Sequence, residues 1–284
     1  MLISNEWKDY VLLGAGNGEK LESWNGIILR RPDPEAIWDV DTSLWNKPDG
    51  YYHRSNEGGG YWEFNKSLKD YWTVNYKELT FKVCPTNFKH TGLFPEQAIN
   101  WDFMMEKIRS SKREIKVLNL FAYTGGATVA CSKAGAVEVV HVDASKGIIE
   151  WAKENMKLSG IENNKVRFLV DDCFKFVERE IRRGNKYDAI IMDPPSYGRG
   201  PNKEVWKFEE DITKLINKCL KLLSDKPLFF LINSYTTGIS NIVLNNILKM
   251  SNLPKGKITS GEIGLPISNT DLILPCGIYG RWEN

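Results

Sequence analysis

Residues 119–130 read NLFAYTGGATVA. The apolar run from Val117 to Phe121 breaks into a tyrosine, a threonine and two glycines, then resumes in small, helix-compatible residues. Paired glycines after a short apolar run allow a sharp turn and a close backbone approach by a ligand. The stretch reads as strand, ligand-cradling loop and helix. A plain turn with no ligand is the alternative these residues leave open.

Outward from this stretch, apolar runs alternate with amphipathic ones. KVLNLF (116–121) leads to GATVACSKAGA, VEVVHVD (137–143) to SKGIIEWAKENMKLSG, and KVRFLV (165–170) to DCFKFVEREIRRG. YDAIIMD (187–193) is followed by a long loop and KFEEDITKLINKCLKLLSD, and PLFFLIN (227–233) by SNIVLNNILKM. Five strand-then-helix units predict a mostly parallel sheet with helices on both faces, an α/β fold. KGKITSGEIGL (255–265) and DLILPCGIYGRW (271–282) have no helix between them, so an antiparallel pair is expected to close the sheet.

The chain changes character near residue 90. Before it come six tryptophans, Trp7, Trp24, Trp38, Trp45, Trp62 and Trp72, among the turn signals GAGNG (14–18), RPDPEA (31–36), NKPDG (46–50) and NEGGG (56–60). Short β-prone runs there, WNGIILRR, GYWEF and ELTFKVCP, predict a small antiparallel β module with the tryptophans mainly in its core. The expected domains are therefore 1–88, a Trp-rich β module that could face substrate, and 89–284. Segment 89–108 reads as a loop feeding an amphipathic helix.

Bulk properties set limits. The chain has 284 residues, 42% hydrophobic and 26% charged, with a net charge of +2, which is ordinary for a globular protein. A chain of this size buries roughly three-quarters of its unfolded surface. Its near-neutral charge excludes a polyelectrolyte tail but leaves room for a local basic face. Arg109, Lys112, Arg113, Arg182, Arg183, Arg199, Lys203 and Lys207 are the candidates for that face, with solvated helix ends as the alternative. The opening MLISNEWKDYVLLG lacks the halves of a signal peptide, and no apolar run approaches ~20 residues, so a cytoplasmic protein with no membrane contact is expected. The five cysteines, Cys84, Cys131, Cys173, Cys219 and Cys276, show no CxxC spacing and read as reduced thiols, and no metal site is visible.

In a parallel α/β sheet, ligands bind outside the carboxyl ends of the strands. Asp143 ends the second strand about 18 positions past Gly125, where a carboxylate would meet a ribose held over the glycine loop. Helix capping is its structural alternative, and Ser145 is positioned to take that role instead. Asp171, Asp172 and Cys173 follow the third strand and could meet an adenine, or simply cap a helix. Glycine loop plus acid does not separate a dehydrogenase from an S-adenosylmethionine enzyme, but FAYTGGAT is not the GxGxxG that a pyrophosphate requires. The fourth strand ends in IIMDPPSYGRGP (190–201). Consecutive prolines there fix the backbone and remove donors, so that neighbouring carbonyls are expected to face a substrate amine.

These residues resemble the class I S-adenosylmethionine-dependent methyltransferases, and more narrowly the branch around the large-subunit ribosomal RNA cytosine-C5 methyltransferases. The resemblance runs from about residue 88 to the end and is carried by KHTGLFPEQ, VLNLFAYTGGAT, VVHVDASKG, VDDCFKFV, DPPSYGRG and LPCGIYGRW. It implies a Rossmann-like fold, S-adenosylmethionine as cofactor and RNA as partner. It also implies that Phe121, Ala122, Tyr123, Thr124 and Gly125 surround the methionine part, and that Asp143, with Ala144 and Ser145, holds the ribose. Asp172 and Cys173 would flank the adenine, and Asp193, Pro194 and Pro195 would line the transfer site. The family pattern has glutamine then arginine ahead of the first strand; here Gln97 is followed by Ala98, so Gln97 alone is carried over as a cofactor contact.

Two departures shape the functional expectation. Cytosine-C5 enzymes of this branch place a cysteine nucleophile after the fifth strand, whereas this chain has Asn233, Ser234 and Tyr235. The branch's N-terminal RNA-binding domain is replaced by the Trp-rich module. The expectation is in-line methyl transfer to a nitrogen of an RNA base, with Asp193 accepting from the amine and Tyr197 stacking on the base. Methylation of a small molecule or protein is the second reading, and a non-catalytic cofactor-binding protein the third.

Overall fold

The structure, a computed structural model, describes residues 1–45, 47–55 and 59–284. Parts of the turn signals NKPDG and NEGGG, Asn46 and residues 56–58, lie outside the described residues. The chain divides into two compact units. One comprises Leu2–Ile99 and Ile263–Cys276; the other comprises Met1, Asn100–Glu262 and Gly277–Asn284. The division falls at Ile99 instead of 88, and it adds 263–276 to the N-terminal unit.

The N-terminal unit contains β1 (Leu2–Ile3), β2 (Tyr10–Gly16), β3 (Glu19–Trp24), β4 (Ile27–Pro32), β5 (Gly50–Arg54), β6 (Gly60–Phe64), β7 (Trp72–Tyr76) and β8 (Leu79–Val83). Strands β2 to β6 form one sheet in sequence order, and β7–β8 is a separate hairpin. Asn17–Gly18 and Asn25–Gly26 make the two tight turns of the sheet, all four with positive φ, as a two-residue hairpin of matching twist requires. The sheet departs from the all-antiparallel expectation at one place, where β4 and β5 pair in parallel through Leu29↔Gly50. The long 33–49 connection permits this, since a parallel pair cannot be joined by a short turn. Leu2 and Ile3 pair in parallel with Ile263 and Gly264, which accounts for the assignment of 263–276 to this unit.

Trp24 and Leu29 are fully buried in this unit, and with them lies a charge cluster. Arg31 donates from Nε and Nη2 to Glu22 at 2.6 and 2.8 Å, and the Tyr10 hydroxyl donates to Glu22 at 2.9 Å. Burial would raise the Glu22 carboxyl, but Arg31 and Lys20 override it and hold the value near about 2. His90 is kept neutral mainly by burial, with Arg31 adding to the effect, down to about 4.

The second unit carries α1 (Ala98–Ser110), β9 (Lys116–Leu120), α2 (Gly126–Lys133), β10 (Glu138–Asp143), α3 (Lys146–Leu158), β11 (Val166–Val170), α4 (Cys173–Arg183) and β12 (Ala189–Met192). There follow β13 (Tyr197–Arg199), β14 (Val205–Lys207), α5 (Phe208–Leu220), β15 (Phe229–Ser234), α6 (Asn241–Met250), β16 (Lys257–Pro266) and β17 (Ile273–Glu283), of which Ile263–Pro266 and Ile273–Cys276 fall in the N-terminal unit. The sheet order, with β1 at the edge, is β1-β16-β17-β15-β12-β9-β10-β11. Strands β9 to β12 and β15 are parallel, and β17 runs antiparallel to β15, as the sequence pattern requires.

Register aligns the core. Leu118, Leu120, Val140, Val142, Ile190, Met192, Phe230 and Ile232 lie level across four neighbouring strands. They form one buried cluster with Phe176 and Val177 of α4, Leu215 and Ile216 of α5, and Leu244 and Leu248 of α6. Truncating one such side chain to alanine costs about 2–5 kcal/mol. The intervening residues point to the other face, where Phe103 of α1 packs edge-on against Phe229 at 5.4 Å. All parallel strands end on the same edge, so the loops after β9, β10, β11, β12 and β15 are brought together there.

Candidate active site

The glycine loop follows β9 directly. Phe121, Tyr123 and Gly125 have φ of 53°, 49° and 84°. Glycine adopts this left-handed geometry freely, but a phenylalanine and a tyrosine do so at a cost of order 1 kcal/mol or more each, which surrounding contacts must offset. Those contacts are visible. The Phe121 N–H donates to Cys173 Sγ at 3.3 Å, Ala122 N–H to the Val142 carbonyl at 3.1 Å, and Tyr123 N–H to Asp143 Oδ2 at 2.9 Å. Thr124 is buried, and its carbonyl accepts from Asn155 Nδ2 of α3 at 2.8 Å. A Cβ on Gly126 would stand 2.7 Å from the Trp101 ring, so the second glycine is required by packing.

Asp143, at the end of β10, holds two loops at once. Besides Tyr123, it accepts from the Ser145 N–H at 3.0 Å through Oδ1. Ser145 is the N-cap residue of α3 yet makes no side-chain capping bond, so it does not release Asp143 from backbone contacts as expected. Burial raises the Asp143 carboxyl, while the backbone donors Ser145, Tyr123 and Ala144 pull it back. Among the described residues no cation pairs with it. A half-shielded carboxylate without a cation, with acceptor capacity left beside its backbone donors, fits neutral hydroxyl donors.

Beneath the loop lies a buried polar chain. Asn119 Nδ2 donates to the Thr128 hydroxyl at 2.9 Å, and that hydroxyl lies 2.9 Å from His141 Nδ1. Burial holds the imidazole neutral, down to about 3, against a smaller opposing influence from the Tyr123 backbone. The folded value lies below the ordinary 6.5, so His141 contributes stability that is complete above pH 6.5. As pH falls from there toward 3, that contribution declines by about 1.4 kcal/mol per unit. Urea unfolding of His141→Gln against the parent at pH 7 and pH 5 should show a shallower acid loss in the variant. Equal pH slopes would contradict the assignment.

After β11, Asp172 is the N-cap of α4 and accepts from the Lys175 N–H at 2.8 Å, the capping role that the sequence left open. Asp171 is ion-paired with Arg179. Cys173 turns its thiol into the core, beneath Phe121, and burial pushes its pKa up. Its side chain therefore props the glycine loop from below, and only its backbone is left to border an adenine.

After β12 the structure revises one expectation. The Pro195 carbonyl accepts from the Trp206 indole N–H at 2.6 Å, and the Ser196 carbonyl from the Phe208 N–H at 3.0 Å. Neither faces a substrate amine, because a protein donor has taken each one. Among the prolyl carbonyls only that of Pro194 remains for the role. Ser196 Oγ donates to the Thr236 hydroxyl at 3.0 Å, joining this loop to the one after β15.

The predicted long loop at 194–207 contains a short antiparallel hairpin, β13–β14. Three-residue strands separated by GPNKE carry too little periodicity to register as strands. Tyr197 lies on its exposed outer surface, 54% accessible, and Trp206 on its buried inner one, 7% accessible. Trp206 also packs on Phe121 at 5.1 Å between ring centroids, so one side chain ties the proline loop to the glycine loop. Sequence reasoning passed over it. Trp206→Phe keeps a ring against Phe121 but leaves the Pro195 carbonyl without its donor. A loss of about 1–3 kcal/mol in urea unfolding is expected, and an unchanged stability would show the two loops to be held independently.

The fifth strand end is closed. Asn233 is buried, and its Oδ1 accepts from Asn100 Nδ2 at 2.8 Å. Gln97, the other residue the resemblance carries over, is buried in a 3₁₀ turn of the N-terminal unit. The eight candidate basic residues do not share a face. Arg109, Lys112 and Arg113 precede β9, and Arg182 and Arg183 end α4 ahead of β12, on the sheet edge opposite the site. Arg113 pairs with Asp188 and Arg183 with Glu180. Only Arg199, Lys203 and Lys207 are on the site side.

Comparison with known proteins agrees with this geometry. A family model described as S-adenosylmethionine-dependent methyltransferase matches residues 51–246. A crystal structure of a SAM-dependent methyltransferase from Agrobacterium tumefaciens is 34% identical, with a TM-score of 0.94, over 99% of this chain and 92% of that one. Ribosomal RNA large subunit methyltransferase K/L of Shewanella frigidimarina is 34% identical over 145 residues, 51% of this chain and 20% of its own. Ribosomal RNA large subunit methyltransferase K of Neisseria meningitidis is 28% identical over 169 residues, 59% of this chain and 46% of its own. The chain thus spans between a fifth and about half of the length of these curated relatives. With a matching family model over most of its length and a 34% identical relative of the same fold, the chain belongs to the S-adenosylmethionine-dependent methyltransferase family.

Proposed function

We propose that this protein methylates a nitrogen of an RNA base by direct in-line transfer from S-adenosylmethionine. The carrying observation is the pairing of Asp193-Pro194-Pro195 at the end of β12 with Asn233 and Ser234, the last residues of β15, and Tyr235 just after it, where no thiol stands. Cys131 and Cys219 are fully buried, and burial raises the thiols of Cys131, Cys173, Cys219 and Cys276 above the ordinary range. A thiol held protonated does not add to a pyrimidine ring. A nitrogen needs no such help, because its lone pair attacks unaided once it is aligned.

The cofactor supplies a methyl group on a cationic sulfur. In the proposed assignment Phe121 to Gly125 border its methionine part, and Asp143, with Ala144 and Ser145, holds the ribose. Asp172 and Cys173 border the adenine through backbone and capped carboxylate. Asp193 accepts a hydrogen bond from the exocyclic amine, which orients the lone pair and receives the proton lost as the new N–C bond forms. The Pro194 carbonyl fixes the second amine hydrogen. Tyr197 meets the base at the entrance. The fit of the chain to this cofactor rests on Asp143, whose carboxylate has no cation of its own.

RNA as substrate is favoured by the similarity to ribosomal RNA large subunit methyltransferases and by charge. The methyltransferase unit has 27 basic against 21 acidic residues, +6, and the N-terminal unit 11 against 15, −4. The phosphate contacts are therefore proposed to lie on the methyltransferase unit. No helix among the described residues is long and apolar enough to cross a membrane, and a cytoplasmic site of action is proposed.

Purified protein incubated with methyl-labelled S-adenosylmethionine and an extract of cells lacking the gene tests the substrate class. Label is expected in the RNA fraction. Label confined to protein or small molecules would overturn the RNA assignment, and no label anywhere would favour a non-catalytic binder.

A further inference from the structure

The geometry points to the β13–β14 hairpin as the element that grips the RNA strand; this rests on the RNA reading and extends it to a named surface. In the antiparallel register, Tyr197 pairs with Lys207 and Arg199 with Val205, so these four side chains share one surface of the ribbon. Gly198 and Trp206 share the other. Trp206 is buried, whereas Tyr197 is 54% and Val205 53% accessible. An outer surface with one aromatic ring, one aliphatic side chain and two cations is the chemistry of single-strand binding, a ring for a base and charges for the backbone.

The charges are available. Arg199 and Lys203 are exposed, and among the described residues neither forms an ion pair. Lys203 stands in the turn with φ of 68°, its N–H donating to the Gly200 carbonyl at 3.1 Å. Lys207 differs, being paired with Glu210 at 2.8 Å on an exposed helix turn.

The hairpin is also held in place. Glu204 pairs with Lys175 of α4 at 2.6 Å and accepts from the Asn202 N–H at 2.9 Å. A Cβ on Gly200 would lie 3.1 Å from Asp172 Oδ2, so the turn rests against the start of α4. At its base Trp206 bonds the Pro195 carbonyl and packs on Phe121. Such a ribbon presents its cations beside the Asp193 loop with little ordering left to do on binding. A surface that only had to cover the cofactor would need none of this exposed charge.

The test is binding of a fluorescein-labelled mixed-sequence 20-nucleotide RNA to the full chain across a salt series, beside calorimetric binding of S-adenosylhomocysteine. Removing two phosphate contacts from a single strand lowers the slope of log K against log salt by about 1.4. The double variant Arg199→Ala/Lys203→Ala should show that change and a loss of affinity of at least about tenfold, with S-adenosylhomocysteine binding and thermal midpoint unchanged. Tyr197→Ala should weaken RNA binding by roughly tenfold while leaving the salt slope intact. Both substituted cations are exposed, so the variants are expected to fold; the unchanged S-adenosylhomocysteine affinity checks it. Wild-type affinity and slope in the double variant, with label still entering RNA, would overturn the hairpin assignment and leave the RNA reading standing. If the wild-type protein binds S-adenosylhomocysteine but neither the RNA nor its salt series shows binding, and label enters protein instead, both fail together.

Discussion

Asp193→Ala is expected to lower kcat by on the order of 10²-fold or more while S-adenosylhomocysteine binding stays within a few-fold. The backbone of Asp193 is fixed from both sides: its N–H reaches the Leu120 carbonyl at 3.4 Å across to β9, and two prolines follow. Removing the carboxylate therefore changes the chemistry offered to the amine more than the path of the loop. Asp193→Asn keeps an acceptor oxygen of the same shape and should recover part of the loss, because orientation survives while proton acceptance does not. Steady-state kinetics on both variants, with thermal midpoints as a fold control, give the comparison. Equal kcat for all three proteins would remove Asp193 from the reaction, and an equal loss of kcat and of S-adenosylhomocysteine affinity would make it a cofactor-holding residue only.

Asp143→Ala should weaken S-adenosylhomocysteine binding by 10²-fold or more. Hydrogen bonds to a charged carboxylate are worth about 1.5–3 kcal/mol each, and the proposed ribose contact has two. The substitution also frees the Tyr123 and Ser145 N–H groups, which loosens the glycine loop. A double-mutant cycle separates the two effects. Parent and variant are each titrated with S-adenosylhomocysteine and with its 2′-deoxyribose analogue. The deoxy analogue should bind the parent more weakly but cost the variant nothing further, since its carboxylate is already gone. An equal penalty in both proteins would show that Asp143 never touched the hydroxyl. Because burial raises this carboxyl, the parent's affinity should also begin to fall at a higher pH than an ordinary carboxylate would dictate, as the protonated form loses its acceptor charge.

The legibility of the sequence followed the strength of its periodicities. Strands such as VEVVHVD and PLFFLIN are continuous apolar runs because both faces are buried, and their parallel direction and the closing antiparallel strand were readable, whereas their order across the sheet was not. Asp143 and Asp193 were readable because a residue at a parallel strand's end has little choice of place. The Cys173 thiol was not. Its position next to Asp172 suggests a ligand, yet the first turn of α4 points it into the core under Phe121. Trp206 was invisible for a related reason, since its partner, the Pro195 carbonyl, lies eleven residues away across a hairpin whose strands span three residues each. The basic residues misled differently. Arg109 and Arg199 look alike in sequence, and only sheet topology shows that one precedes a strand and the other follows one. The parallel β4–β5 contact likewise depends on where a long loop returns, which local turn chemistry does not encode.

The central claim, transfer to nitrogen without a covalent thiol, is tested most directly by digesting RNA methylated in vitro to nucleosides and identifying the labelled product by mass spectrometry. An N-methylated nucleoside, still formed by the Cys173→Ala and Cys276→Ala variants, is the predicted result. A 5-methylcytidine product, abolished by either substitution, would contradict it and place the nucleophile on a thiol whose pKa lies above the ordinary range.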